Sequence, residues 1–498
     1  RVDYDRYKNT RLDLEEALGI SGAKLPFFDE SRHPALRHLA RQIFTLTHPE
    51  RRPSGGAITL LEAPDRAAEV RAALRWLKQR IVWEGVSAGQ TALLARDITP
   101  YRPYIRQIAA EFGLPLRLVD GLPLRQSPII DAMLELLRLF LPTAAGQGPN
   151  LLRRQLISTW RSPYFAWDNG DDAITAADAD LLDMLAREQR VILGLDQWRA
   201  AFKAGLVVPQ DSREEEEAES GGRRLTAAAV KQLAGKFKGF LDVAGPPENA
   251  CTMHDFVRWL ERLIGPDPTL STGQETPPDS LHIIDRARAY EETAEADVAA
   301  LRTLKDILRG LVWAEEAAGR DETVDFPTFF AELAGAILAT SYTLPTRPGA
   351  AEIIVAGARR VRGLSFEAVA VLGLGEGSFP ATISEDPFLR DIDRRRLRER
   401  FDFPLEPSTL SAEREFFYEA ISRPRGKLLL TRPILAENGA EWVASPYWEA
   451  VLDLTDSAPQ SIAGEAALAL QETASFAEWW ETAAAQAADA APAREQDP

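Results

Sequence analysis

The chain has 498 residues, 45% apolar and 27% charged, enough for two or three domains with cores of their own, so disorder is excluded as its general state. A single cysteine, Cys251, excludes a disulfide framework and, from this chain alone, a cysteine-built zinc or iron–sulfur centre; a reducing, cytoplasmic setting is expected. The net charge of −17 argues against polyanion binding on average, but the segment from Ala351 to Arg432 carries 14 Lys/Arg against 13 Asp/Glu and leaves the acidic excess elsewhere.

The opening RVDYDRYKNT has no apolar core of a signal peptide, and no run approaches the length needed to span a bilayer, so no membrane association is expected. A start on Arg and an end in AAAQAADAAPAREQDP are the expectation for a piece of a longer protein, with residues 1–50 as lead-in helices closing a preceding domain. From residue 51 the pattern becomes strand–helix–strand. ITLLEA (58–63) has strand length, and Ala67, Val70, Leu74, Leu77 and Ile81 then share one helical face. TALLAR (91–96) is a second strand, ITPYRPYIRQIAAEF a second helix, and LRLV (116–119) a third strand. Strands alternating with helices predict a parallel sheet covered on both faces. After Gly121, Pro123 and Pro128, the residues Ile129, Ile130, Met133, Leu134, Leu137 and Phe140 predict an apolar helix, and this first part of the sheet lobe is expected to run over 51–143.

Over 144–345 the pattern is all-helical, with no convincing strand. It includes an apolar stripe of Ala294, Val298, Leu301, Leu304, Leu308 and Leu311 that reads as core. Two stretches interrupt it as loops: VVPQDSREEEEAESGGRR, packed with like charges, and the Pro/Gly-rich GPDPTLSTGQETPPDS. Strand signals return over 346–455 as IIVAG, AVAVLGL and KLLLT, so the sheet is interrupted and resumed, and 456–498 is expected as a helical tail or linker. In that tail, Trp479 and Trp480 are expected to be core, with an amphipathic anchor as the alternative. No repeat of fixed period is present.

The basic residues of the late segment fall into knots: Arg359, Arg360 and Arg362; Arg394, Arg395, Arg396, Arg398 and Arg400; Arg423, Arg425 and Lys427. They suit phosphate contacts and equally suit a solvated face balanced by Asp391 and Asp393. Histidines 33, 38, 48, 254 and 282 have no metal-ligand spacing, and no catalytic residue or metal site is assigned. Neither Gly235-Lys236-Phe237 nor Gly426-Lys427-Leu428 has the hydroxyl and upstream glycine of a phosphate-binding loop, and Asp29-Glu30, preceded by Pro26, is a poor magnesium-binding strand end.

Two segments carry a family resemblance. GLSFEAVAVLGLGEGSFP, with Gly363, Leu364, Phe366, Gly377, Phe379 and Pro380, resembles the fifth motif of UvrD/Rep-like superfamily 1 helicases. EREFFYEAISRPRGKLLL, with Arg414, Tyr418, Ala420, Ser422 and Arg423, resembles the sixth. The stretch from Ala92 to Leu139, with its Gly113-Leu114-Pro115 turn, is similar to the region after the fourth motif. The closest pattern is the AddB-type subunit of the AddAB helicase-nuclease, whose helicase-like part is degenerate. The resemblance implies an α/β fold: a RecA-like parallel sheet, the second helicase lobe, interrupted by a large all-α insertion. By that resemblance the chain is expected to be a fragment without the phosphate-gripping lobe and the nuclease domain.

By that resemblance Arg423 is nucleotide-proximal, reaching across to the γ-phosphate, with Gly363 and Ser365 beside it. Its bland alternative is a surface arginine at a helix C-terminus. Arg414 is expected to be structural. Arg359, Arg360, Arg362, Arg394, Arg395 and Arg396 are the implied DNA contacts. The family's Thr and His of the fifth motif fall on Gly357 and Arg359, its ribose-contacting Glu on Ser365, and FFDESRHPALRHLARQIF replaces the fourth motif. ATP and magnesium are therefore expected of the full-length protein or complex and not of this chain alone. The implied partners are nonspecifically bound DNA and an AddA-like subunit, in double-strand break repair. A slice of an active UvrD-like translocase and a non-catalytic scaffold for a partner helicase are the alternatives.

Overall fold

A computed structural model describes residues 5–22, 31–45, 50–143, 148–167, 173–206, 225–266, 280–319, 322–345, 349–382, 385–403, 405, 411–462 and 468–490. The acidic loop at 207–224, most of the Pro/Gly-rich loop, Asp29-Glu30 and the final APAREQDP lie outside the described residues. The chain forms two compact units: one from residues 1–117 and 350–498, the other from 118–349.

The first unit is built on a seven-stranded sheet. In chain order the strands among the described residues are β1 (Ile58–Ala63), β2 (Thr91–Ala95), β3 (Leu116–Leu118), β4 (Leu122–Pro123), β5 (Ser341–Tyr342), β6 (Ile353–Gly357), β7 (Phe366–Leu372), β8 (Pro424–Pro433) and β9 (Gln460–Ser461). The sheet order is β3-β6-β2-β7-β8-β1-β9. Strand β2 lies parallel to β6 and β7, β8 parallel to β7 and β1, and β9 parallel to β1. The central strands are buried on both faces and are near-continuous apolar runs: all five residues of β2 and six of the seven of β7 are buried.

The two-residue strand period divides them. Leu60, Leu94, Val371 and Leu430 enter a core shared with helices Pro34–Gln42, Ser411–Ile421 and Pro446–Leu452. The opposite face is covered by helix Arg66–Trp83, which packs on β7, β8 and β1 and buries Val70, Leu74 and Leu77. Phe366 and Tyr418, one from each motif-like segment, belong to the same core. The α/β sheet is resumed after the insertion, as the strand signals require.

The second unit is a helical bundle around one core. Helix Pro128–Arg138 contributes Ile129, Ile130, Met133, Leu134, Leu136 and Leu137 to it, and helix Ala294–Ala318 contributes Leu301, Leu304 and Leu308. Phe256 and Phe329 stack at 4.9 Å, and the buried Trp198 donates its indole N–H to the Leu151 carbonyl at 2.8 Å. The expectation of a strandless insertion needs one correction: β4 and β5 form a short antiparallel ribbon, pairing Leu122 with Tyr342 and Pro123 with Ser341. Two residues a side leave no alternation to detect in sequence. The tail also departs from expectation. Helix Phe476–Ala490 is present, but Trp479 and Trp480 are 42% and 63% exposed, not core. That helix is held by charge instead: Glu478 accepts from Arg71 at 2.8 Å, from Arg75 at 2.6 Å and from the Ala474 N–H at 2.8 Å. Among the described residues, no helix is long and apolar enough to cross a membrane.

Candidate nucleotide and DNA faces

Helix Ser411–Ile421 runs antiparallel to the strands, so its first turns stand at their carboxyl ends and its last turn at their amino ends. Each end of that helix organises a cluster.

At the amino ends, the chain leaves the helix through Ser422 and Arg423 and enters β8. The Phe366 N–H at the start of β7 donates to the Arg423 carbonyl at 3.1 Å, joining the two motif-like segments by backbone. Arg423 turns back into its own unit. Its Nε donates to the Glu419 carbonyl at 2.9 Å and Nη1 to the Leu364 carbonyl at 3.1 Å. Nη2 donates to Ser422 Oγ at 3.0 Å and lies 2.9 Å from Glu419 Oε2. Four contacts on a five-donor guanidinium fix its plane, which stabilises the approach of the helix to β8. Arg362 adds its Nε at 3.6 Å from Glu419 Oε1. Gly363, at φ +80°, adopts a backbone conformation that a side chain would strain, and it turns the chain from Arg362 into β7. Ser365 is exposed beside it.

At the carboxyl ends, Arg96 follows β2 and clamps Glu413. Its Nε lies 2.8 Å from both carboxylate oxygens and Nη2 lies 2.6 Å from Oε1. Glu413, 1% exposed, also accepts from the Ala381 N–H at 3.1 Å, which ties the loop after the Gly-x-Phe-Pro turn to the helix. The Phe416 ring is contacted by two guanidinium groups, Arg96 at 4.8 Å and Arg359 at 4.9 Å. Arg359 and Arg360 follow β6 and are exposed. The basic knot of the sequence is thus divided: Arg359 belongs to the carboxyl-end cluster and Arg362 to the Glu419 cluster. Arg394 donates Nε to the Leu389 carbonyl at 3.1 Å, Arg396 lies 4.0 Å from Asp393, and Arg395 is exposed on the same helix. Arg414 stands over the Phe44 ring at 5.7 Å, a packing role.

Sequence reasoning did not single out Arg96 and Glu413 as a pair. The available signal was an arginine directly after a largely apolar strand and a glutamate opening the later helix, but 317 residues separate them. Replacing Arg96 with alanine is expected to lower stability by about 2 kcal/mol, less than for a fully buried pair because water reaches the guanidinium. Urea unfolding would measure it, and a change under about 0.5 kcal/mol would contradict the role.

The turn after β1 does not fit a triphosphate grip. In a parallel α/β sheet, the turn from strand to helix N-terminus is the anion site. After β1 that turn holds Asp65, whose Oδ1 accepts from the Ala68 N–H at 2.8 Å, so a carboxylate already satisfies the helix end. Glu69 is buried one turn on, and Arg66 is committed to Glu437 and to the faces of Trp442 at 5.2 Å and Tyr101 at 5.6 Å. Among the described residues, no group of three His, Cys, Asp or Glu could hold a metal ion.

No family model matches the chain. Curated relatives do. It is 24% identical over 429 residues to the B-type subunit of the ATP-dependent helicase/deoxyribonuclease of Geobacillus kaustophilus, covering 82% of this chain and 34% of that protein. With the same-named proteins of Symbiobacterium thermophilum and Moorella thermoacetica it shares 25% over 450 residues and 26% over 465 residues. These matches cover 87% and 91% of this chain, and 35% and 37% of those proteins. The chain resembles AddB-type subunits over most of its length. It spans about a third of the length of these AddB-type relatives. Both motif-like segments of that resemblance lie in the first unit, on adjacent strands β7 and β8.

Proposed function

We propose that this chain is the DNA-guiding, helicase-like part of an AddB-type ATP-dependent helicase-nuclease subunit, working with an AddA-like partner in double-strand break repair by recombination. The observation that carries the reading is the pairing of β7 with β8, which makes the fifth- and sixth-motif segments one continuous piece of a parallel sheet. The similarity to proteins named as the B-type subunit of a helicase/deoxyribonuclease supports it. In this reading ATP and magnesium serve the full-length protein or its complex. The chain's own residues position DNA, and Arg359, Arg360 and Arg362, with Arg394, Arg395 and Arg396, meet the phosphates. Such contacts carry no base information, so binding is nonspecific and weakens with salt. A nucleotide-facing role for Arg423, with Gly363 and Ser365, requires the guanidinium to give up Glu419, to which it is now bonded.

The test is the triple variant Arg359→Ala, Arg360→Ala, Arg362→Ala, titrated with a fluorescent single-stranded oligonucleotide at several salt concentrations. The expected result is about a tenfold loss of affinity at low salt and a slope of log K against log salt shallower by roughly 0.7 for each phosphate no longer neutralised. Affinity equal to the parent's would overturn this placement of DNA.

A further inference from the structure

The segment from Phe388 to Phe403 carries charge and aromatic surface that the fold does not use. Helix Asp391–Phe401, DIDRRRLRERF, has no buried residue. Between Ile392 and Phe401 the only apolar residue is Leu397, so the sequence has no stripe at three- and four-residue spacing with which to pack on the sheet. The helix is stabilised by its own charges. Asp391 and Asp393 in the first turn and Arg398 and Arg400 in the last complement the helix dipole. Asp393 lies 3.6 Å from Arg390 and 4.0 Å from Arg396. Asp402, at φ +55°, ends the helix by donating its N–H to the Arg398 carbonyl at 3.1 Å. These pairings leave the exposed Arg395 and Arg398 without a carboxylate among the described residues.

Three phenyl rings stand with them in solvent: Phe388 is 95% exposed, Phe401 59% with the Arg400 guanidinium over its ring at 5.5 Å, and Phe403 56%. A helix that docks into a protein groove shows a run of anchors at i, i+3, i+4 and i+7, and this one has a single such pair, Leu397 and Phe401, with Ile392 out of step. Here the rings sit at the two ends of a run of guanidinium groups. Isolated aromatic faces beside arginines bind unpaired nucleic acid, because each base offers a face for stacking and each phosphate a partner for a guanidinium.

We propose that Phe388, Phe401 and Phe403 are a stacking platform for the bases of a single DNA strand whose phosphates lie along Arg395 and Arg398. The inference rests on the DNA-guiding reading above and narrows it to unpaired DNA at this helix. In a duplex the bases are already stacked on one another, so the rings gain nothing there.

The test compares the full 498-residue chain with Phe388→Ala/Phe401→Ala/Phe403→Ala and with Arg395→Ala/Arg398→Ala. The probes are an oligothymidylate, an abasic oligomer of equal length and a blunt duplex. The ring variant is expected to bind oligothymidylate about tenfold more weakly with an unchanged salt slope, and the abasic oligomer and the duplex like the parent. The arginine variant should weaken all three, with a salt slope on the single strands lower by roughly 1.4. Because the helix buries nothing, both variants should melt with the parent. Parent-like binding of oligothymidylate by the ring variant, while the Arg359/Arg360/Arg362 variant is weakened, would overturn the platform alone and leave this face to a protein. Equal losses on oligothymidylate and duplex would overturn stacking. A parent that binds no DNA at low salt would overturn the DNA reading itself.

Discussion

Replacing Phe417 with alanine is expected to cost about 4 kcal/mol, the upper range for deleting a buried aromatic ring. Phe417 is fully buried in the helix of the sixth-motif segment. It stacks on Tyr447 at 4.8 Å, meets Phe379 edge-on at 5.4 Å and lies 6.1 Å from Phe44. The four rings come from four separate stretches: the lead-in after helix Pro34–Gln42, the Gly-x-Phe-Pro turn, helix Ser411–Ile421 and helix Pro446–Leu452. Removing the central ring takes away the dispersion contacts of the other three and leaves a cavity that four anchored backbones cannot close. Urea unfolding followed by hydrogen exchange of the β7 and β8 amides isolates the sheet unit from the helical one. A loss below about 1 kcal/mol in those amides would mean that the aromatic cluster does not hold the two segments together.

The second large effect is a dependence of stability on pH. Glu69 has no exposed surface. It accepts from Thr431 Oγ1 at 2.6 Å and from the Gly373 N–H at 2.7 Å. Gly373 sits at φ +80°, and a Cβ there would meet Tyr101 Oη at 2.6 Å, so the close approach that supplies this N–H needs glycine. Burial pushes the Glu69 carboxyl up from 4.5 to about 7, against the bonds from Thr431 and Gly373 and the nearby Tyr101 and Arg66. Below pH 4.5 both the folded and unfolded chains hold this proton. Between 4.5 and about 7 the unfolded chain has released it while the folded one retains it, so stability falls as pH rises. Above about 7 both are ionised and the loss, about 3 kcal/mol, is complete. Glu69→Gln keeps an acceptor for Thr431 and Gly373 but cannot ionise. The difference in unfolding free energy between parent and variant should shift by that amount from pH 4.5 to 8. A pH-independent difference would sink the assignment.

Much of the sheet unit was legible in the chain. Strands that are largely buried on both faces are mostly apolar, so ITLLEA, TALLA and AVAVL announce themselves. Helix Arg66–Trp83 follows from the spacing of Val70, Leu74 and Leu77. The motif-like segments were visible because backbone turns at Gly363 and Gly377 and a buried ring at Phe379 demand particular residue types. The candidate site was less legible. Arg359, Arg360 and Arg362 are adjacent in sequence, yet the short helical turn over Ala358–Val361 sends Arg359 to the Phe416 ring and Arg362 to Glu419.

What the sequence determined alone is local: periodicity, turn residues, and the absence of a phosphate-binding loop, all set by neighbours within a few residues. Only the tertiary structure decided that Arg423 spends its donors within its own unit, that Arg96 neutralises Glu413, that Trp479 and Trp480 face solvent, and that helix Asp391–Phe401 stands uncovered. The reason is that a charge or ring has the same local pattern whether it is paired, buried or bare. Its partner is chosen by contacts between segments hundreds of residues apart, which no window along the chain contains.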